Sequence, residues 1–127
     1  MSIAIEPRPL SPEERALAEF LLSVEFPGRD ELKSQLESAE VVGLCECGCG
    51  TVDLAIGGPA VRAVCSEPVP VEAYGSALDV LLFVREGLLC LIEIVDYEDK
   101  RPLPYPRPED LKLWVPPPGQ PRTHPAR

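Results

Sequence analysis

The sequence predicts an α+β fold in which two N-terminal helices pack on an antiparallel meander of four or five strands. Apolar residues recur at helical spacing between Ser11 and Ala39, and from Val41 onward they alternate with a period of two. Further along, Glu86-Gly87 separates two apolar runs and has the composition of a tight hairpin turn. A helical part followed by a run of strands is the arrangement of an α+β domain.

Both helices have recognisable boundaries. Ser11-Pro12-Glu13-Glu14 has the pattern of a capping box with proline at the first helical position, and Phe26-Pro27-Gly28 ends the helix that follows. The apolar stripe of this helix consists of Leu17, Phe20, Leu21 and Val24. A second helix opens at Arg29 or Asp30, with a narrower stripe formed by Leu32, Leu36 and Ala39.

Val41 to Cys47 and Val52 to Ile56 are predicted to form a first hairpin that turns near Cys49-Gly50. A two-residue loop would pair Cys47 with Val52 and Cys45 with Leu54. That register places both cysteines on the core face of the sheet.

A second hairpin is predicted from Asp79 to Arg85 and from Leu88 to Tyr97, with a shorter strand around Val69 to Tyr74 beside it. Both faces of this hairpin are apolar. One face is expected to carry Val80, Leu82, Val84, Leu89, Leu91 and Val95, and the other Leu81, Phe83, Leu88, Cys90, Ile92 and Ile94. Two short helices cover only one face, so the second needs the C-terminal segment, another copy of the chain or a partner.

The C-terminal segment is rich in proline and is expected to form an extended strap from Pro102 onward. Its apolar anchors are Leu111, Leu113, Trp114 and Val115. Residues 1–115 are therefore predicted to form a single domain, and residues 116–127 a mobile tail.

The chain has 127 residues and a formal net charge of −9. This charge disfavours binding to nucleic acid and favours a basic protein partner, although acidity also serves solubility alone. Neither a signal peptide nor an apolar run of membrane-spanning length is visible, so we expect no membrane association and a cytoplasmic location. Five cysteines in a reducing compartment indicate free thiols or a metal site more than disulfides.

Cys45, Cys47 and Cys49 are the candidate metal ligands, with zinc as the candidate cofactor. On a straight strand, residues two apart stand roughly 6.7 Å apart and the outer pair roughly 13 Å, so three sulfurs converge only if Gly48 and Gly50 curl the turn. A fourth ligand would come from Cys65, Cys90 or His124. Because cysteine is readily buried, the sequence favours a core role for these residues over a metal site.

The candidate partner-binding residues are acidic: Glu46, Asp53, Glu93, Asp96, Glu98 and Asp99. Glu46 and Asp53 are predicted to oppose each other across the first hairpin, where like charges need a cation, a partner or solvent. The alternative is a solvated face, with Glu93 paired to an arginine. No catalytic residues are predicted, because the spacing of the carboxylates selects no reaction and the sole histidine lies near the C-terminus.

Three blocks occur in order along the chain: Phe26-Pro-Gly-Arg-Asp30, Cys45-x-Cys-Gly-Cys-x-Thr-Val-Asp53, and Leu81-Leu-Phe-Val84 followed by Gly87. Together they resemble a family of small bacterial proteins of actinobacterial type. The resemblance extends over roughly residues 10 to 112 and implies no activity, and Gly50 stands where the family pattern has proline.

The sequence thus predicts a non-catalytic acidic binding protein, of the immunity or antitoxin kind, that neutralises a basic protein partner. The alternative is a metal-binding or redox-sensing thiol protein built on Cys45, Cys47 and Cys49. The identity of the partner and the oligomeric state, including a homodimer, stay open.

Overall fold

The computed structural model describes residues 2–65, 67–98 and 104–117. Within these ranges the helices are α1 (Pro12–Leu21) and α2 (Arg29–Gln35), with 3-10 turns at Leu36–Ser38 and Pro108–Asp110. The strands are β1 (Ser2–Pro9), β2 (Ala39–Cys45), β3 (Val52–Ile56), β4 (Val71–Tyr74), β5 (Leu78–Arg85), β6 (Leu88–Asp96) and β7 (Lys112–Trp114). The α+β class is confirmed, but the sheet has seven strands and not four or five.

The strands form one antiparallel sheet in the order β1-β2-β3-β6-β5-β4-β7. The predicted simple meander is therefore wrong. Two three-stranded units, β1-β2-β3 and β4-β5-β6, meet where β3 pairs with β6 through Val52–Ile92 and Asp53–Leu91. β1 was not predicted; it contains Pro7 and Pro9, which a strand at the sheet edge tolerates.

α1 begins at the predicted capping box. Ser11 Oγ accepts a hydrogen bond from the Glu14 N–H (3.1 Å), and Glu14 Oε1 accepts from the Ser11 N–H (2.8 Å). The Glu14 carboxylate also accepts two hydrogen bonds from the Arg8 guanidinium, at 2.8 and 2.9 Å. The start of α1 is thereby tied to β1.

α2 is tied to the second hairpin by Gln35, which is buried. Its Nε2 donates to the carbonyl oxygens of Val61 and Gly87, and its Oε1 accepts from the Leu89 N–H, at 2.9 to 3.0 Å. Both helices cover one face of the sheet, where the most buried side chains include Leu17, Leu21, Leu32, Val41, Leu82, Leu89 and Ile92. None of the described helices is long and apolar enough to cross a membrane.

The second hairpin turns at Glu86-Gly87 as predicted, with positive φ at both residues (54° and 79°), as a type I′ turn requires. Phe83 pairs with Leu91 and Val84 with Leu89, so Cys90 is an extra residue in β6. Beyond this bulge, each side chain of β6 lies on the opposite face of the sheet from the one predicted. Ile92 and Ile94 are buried against the helices, contrary to the predicted face assignment.

The C-terminal strap docks on the sheet, but not where it was expected. β7 pairs with β4 and extends the sheet edge, and Leu111 joins the hydrophobic core on the helical side. On the opposite face Leu81, Phe83, Leu91 and Val95 are half-buried. Residues 118–127 of the predicted tail lie outside the described residues.

Candidate metal centre

The candidate site lies in the loop between β2 and β3. Leu44 pairs with Val52 and Val41 with Leu54, and the Cys45 N–H donates to the Thr51 carbonyl at 3.1 Å. The loop therefore contains five residues, Glu46 to Gly50, and the predicted two-residue turn is wrong. A bulge at Val42 shifts the register further, so the predicted pairs of Cys47 with Val52 and Cys45 with Leu54 do not form.

This register changes the burial of all three cysteines. Cys47 is exposed, Cys45 is half-buried on the face away from the helices, and Cys49 is buried, with 7% of its surface accessible. The sequence predicted core positions for Cys45 and Cys47, and that prediction is wrong. An exposed thiol gains nothing from hydrophobic burial, so the argument for a purely structural role fails for Cys47.

The loop brings the three sulfurs together. All three Sγ atoms lie within 4.8 Å of one another, and those of Cys45 and Cys47 are 3.0 Å apart. Sulfurs bound tetrahedrally to one zinc at about 2.3 Å lie roughly 3.8 Å apart, so the observed separations need only small adjustments. Cys45, Cys47 and Cys49 could together hold a metal ion.

The two glycines make this convergence possible, as the sequence required. Gly48 and Gly50 have φ values of 79° and 97°, in the left-handed region that other residues adopt at a cost. A Cβ at Gly50 would also lie 2.9 Å from Ile94 Cδ1. Gly50 therefore permits both the backbone conformation and the close approach of the loop to β6.

Thr51 anchors the buried end of the cluster. Its Oγ1 accepts from the Ile94 N–H at 2.9 Å and lies 3.1 Å from Cys49 Sγ. Burial raises the pKa of Cys49, but its hydrogen bonds with the side chain and backbone of Thr51 and with Cys47 and Cys45 outweigh burial and lower this pKa to about 7. The pKa of Cys47 is raised, mainly by its hydrogen bond with Cys45. Sequence reasoning missed Thr51, although its position two residues after Cys49 was the available signal.

The other predicted ligands lie elsewhere. Cys65 Sγ lies 3.5 Å from the Pro27 carbonyl oxygen, and Cys90 Sγ lies 3.5 Å from that of Phe83. In the part of the chain that the structure describes, neither joins the group formed by the three loop cysteines. The remaining candidate, His124, lies outside the described residues.

Three of the predicted acidic residues share a groove of about 380 Å³ with the cysteines: Asp53, Glu93 and Asp96. Asp53 pairs with Gly43 and not with Glu46, so the predicted opposition of the two carboxylates is wrong. A Cβ at Gly43 would overlap the Asp53 carboxylate, which explains a glycine inside β2. Glu46 and Glu98 are exposed, and Asp99 lies outside the described residues.

Comparison of the chain with models of protein families, with curated proteins and with solved structures gives no match. The resemblance to the small bacterial proteins therefore stays a prediction. Any assignment of function depends on the chemistry of the site itself.

Proposed function

We propose that this protein binds a soft metal ion, with zinc as the expected ion, through the thiolates of Cys45, Cys47 and Cys49. The observation that carries the proposal is the convergence of three sulfurs within 4.8 Å in a loop held by two left-handed glycines. Thiolates are the preferred protein ligands of zinc and of copper(I). All three ligands come from one short segment of the chain, Cys45 to Cys49.

The charge around the cluster favours a divalent ion. Three thiolates carry three negative charges, and Asp53, Glu93 and Asp96 line the same groove. A dication neutralises more of this charge than copper(I) does. Zinc also accepts a carboxylate or water oxygen as its fourth ligand, and the groove offers both an acidic lining and space for water.

The test is the metal content of protein purified under reducing conditions. We expect close to one zinc per chain and a lower melting temperature in the presence of a chelator, since metal binding contributes folding free energy. Cys47→Ser should lose at least 90% of the metal, because it removes one of three protein ligands. Cys90→Ser is the matched control, since it removes a half-buried thiol outside the cluster.

Two results would contradict the proposal. One is wild-type protein that contains far less than one equivalent of every thiophilic metal after reconstitution. The other is equal zinc content in Cys47→Ser and Cys90→Ser, which would locate the metal elsewhere.

Binding of a basic protein partner is the second candidate function, and one observation favours it. Asp53, Glu93 and Asp96 line one groove, so part of the negative charge is concentrated on a single surface. A basic partner would associate faster at low salt, and charge reversal at Asp53 and Glu93 should flatten that salt dependence. Unchanged association of the Asp53→Lys, Glu93→Lys variant would contradict this function, and the immunity-like role stays a prediction.

A further inference from the structure

We infer that Cys45 and Cys47 form a reversible disulfide under oxidising conditions and that this disulfide expels the metal, so that the site is regulated by thiol redox state. The disulfide is inferred from the geometry of the two thiols. Its effect on the metal rests on the function proposed above.

The two sulfurs are close enough to form a disulfide. Cys45 Sγ and Cys47 Sγ lie 3.0 Å apart, so a movement of about 1 Å brings them to the disulfide bond length of about 2.05 Å. Cys47 lies in the loop, directly beyond the end of β2 at Cys45. A movement of this size requires no rearrangement of the sheet.

The three thiols differ in their accessibility to an oxidant. Cys47 is exposed, so a small oxidant reaches its sulfur directly. Cys49 is 7% exposed and its sulfur is held beside the Thr51 hydroxyl at 3.1 Å. Oxidation should therefore begin at Cys47 and be completed by Cys45, leaving Cys49 as a thiol.

A low-molecular-weight disulfide such as oxidised glutathione is the oxidant. The Cys47 thiolate attacks one sulfur of the oxidant, forming a mixed disulfide and releasing one glutathione thiolate. The Cys45 thiolate then attacks Cys47 Sγ, forming the intramolecular disulfide and releasing the second glutathione. Two electrons pass from the cysteine pair to the oxidant, and the protons of the two thiols pass to the two glutathione thiolates.

The consequence for the metal follows from the loss of ligands. Zinc binds thiolates, and the disulfide removes two of the three. Cys49 is then the one thiolate of the cluster left to bind the ion. The site thus releases its metal on oxidation and regains it after reduction.

The test treats zinc-loaded full-length protein with oxidised glutathione and follows two quantities. Differential alkylation before and after reduction identifies the oxidised cysteines, and a chromogenic chelator measures free zinc. We expect Cys45 and Cys47 to be oxidised together, Cys49 to stay alkylatable, and zinc release to be at least tenfold faster than with reduced glutathione. Reduction with dithiothreitol, followed by removal of the reductant and chelator and addition of zinc, should restore one zinc per chain.

The possible failures are distinguishable. Protein that binds one zinc but forms no Cys45–Cys47 disulfide, or keeps its zinc after forming it, would overturn the inference and leave the proposed function intact. Protein that forms the disulfide but never binds metal would overturn the proposed function and the metal release together. Cys49→Ser separates disulfide formation from metal binding, because this variant should still form the Cys45–Cys47 disulfide while binding zinc weakly.

Discussion

Replacing Thr51 with valine removes one hydroxyl at the centre of the proposed site and keeps the shape of the side chain. In the native loop, Thr51 Oγ1 accepts from the Ile94 N–H at 2.9 Å and lies 3.1 Å from Cys49 Sγ. Thr51 lies directly before β3, and its hydroxyl oxygen supplies the acceptor for this N–H of β6. The Thr51→Val variant therefore affects both the stability of the sheet and the cysteine cluster.

The expected magnitudes follow from these two contacts. A partly buried N–H that loses its acceptor costs about 1–3 kcal/mol, so we expect a loss of roughly 2 kcal/mol in the free energy of unfolding. For a domain of this size, such a loss lowers the melting temperature by roughly 6–10 °C. Removal of a group that supports a metal ligand typically weakens metal affinity by about 10–100-fold.

Thr51→Ser is the matched control, since it keeps the hydroxyl and loses only a methyl group. Thermal unfolding of metal-free protein isolates the contribution of the Ile94 hydrogen bond, and competition with a zinc chelator of known affinity measures the effect on the site. We expect the serine variant to stay within about 1 kcal/mol of wild type in both assays. Valine and serine variants with the same stability and the same zinc affinity would refute this reasoning.

Three further predictions concern stability. Glu14→Gln should lower the free energy of unfolding by about 1–2 kcal/mol at pH 7, because the charge-assisted hydrogen bonds of the carboxylate are weakened. Burial raises the pKa of Glu14, but hydrogen bonds from Arg8 and the Ser11 N–H lower it below its usual range. A lowered pKa stabilises the fold above about pH 4.3, and this stabilisation is lost as the pH falls. The difference in the free energy of unfolding between wild type and variant should therefore shrink toward pH 3 in denaturant titrations. A constant difference would contradict this reasoning. Gln35→Leu should lower the free energy of unfolding in urea by about 3 kcal/mol, because the Leu89 N–H loses its acceptor. A variant as stable as wild type would show that this buried amide is dispensable. Gly43→Ala should be destabilising alone, because its Cβ would overlap the Asp53 carboxylate, and should be tolerated in combination with Asp53→Ala. Additive effects of the two substitutions on stability would contradict this overlap.

Local signals in the sequence were sufficient for the helices and the second turn. The capping box at Ser11 and the Glu86-Gly87 turn each depend on a few neighbouring residues, and both formed as predicted. β1 and β7 were missed because both are edge strands whose pairing depends on residues distant in the chain. The bulge at Cys90 likewise has no local signature, although it decides which face of β6 is buried.

The candidate site was located from the sequence, but its geometry was not. The spacing of Cys45, Cys47 and Cys49 identified the cluster, and the two glycines were correctly required to curl the turn. The burial of the cysteines was assigned wrongly because a two-residue loop was assumed where five residues form the turn. The observed partner of Val52 is Leu44, three residues before the predicted Cys47, and a shift by an odd number of residues exchanges the faces of a strand, so this error inverted the conclusion about the thiols.

The coordination shell of zinc, measured by X-ray absorption on stoichiometrically loaded protein, tests the central claim most directly. Three sulfur scatterers at about 2.3 Å and one oxygen or nitrogen at about 2.0–2.2 Å are predicted for wild type, with one sulfur fewer around the zinc that Cys47→Ser retains. Cys90→Ser should give the wild-type spectrum. A shell made only of oxygen and nitrogen, or a sulfur count that is unchanged in Cys47→Ser, would contradict a metal centre in this loop.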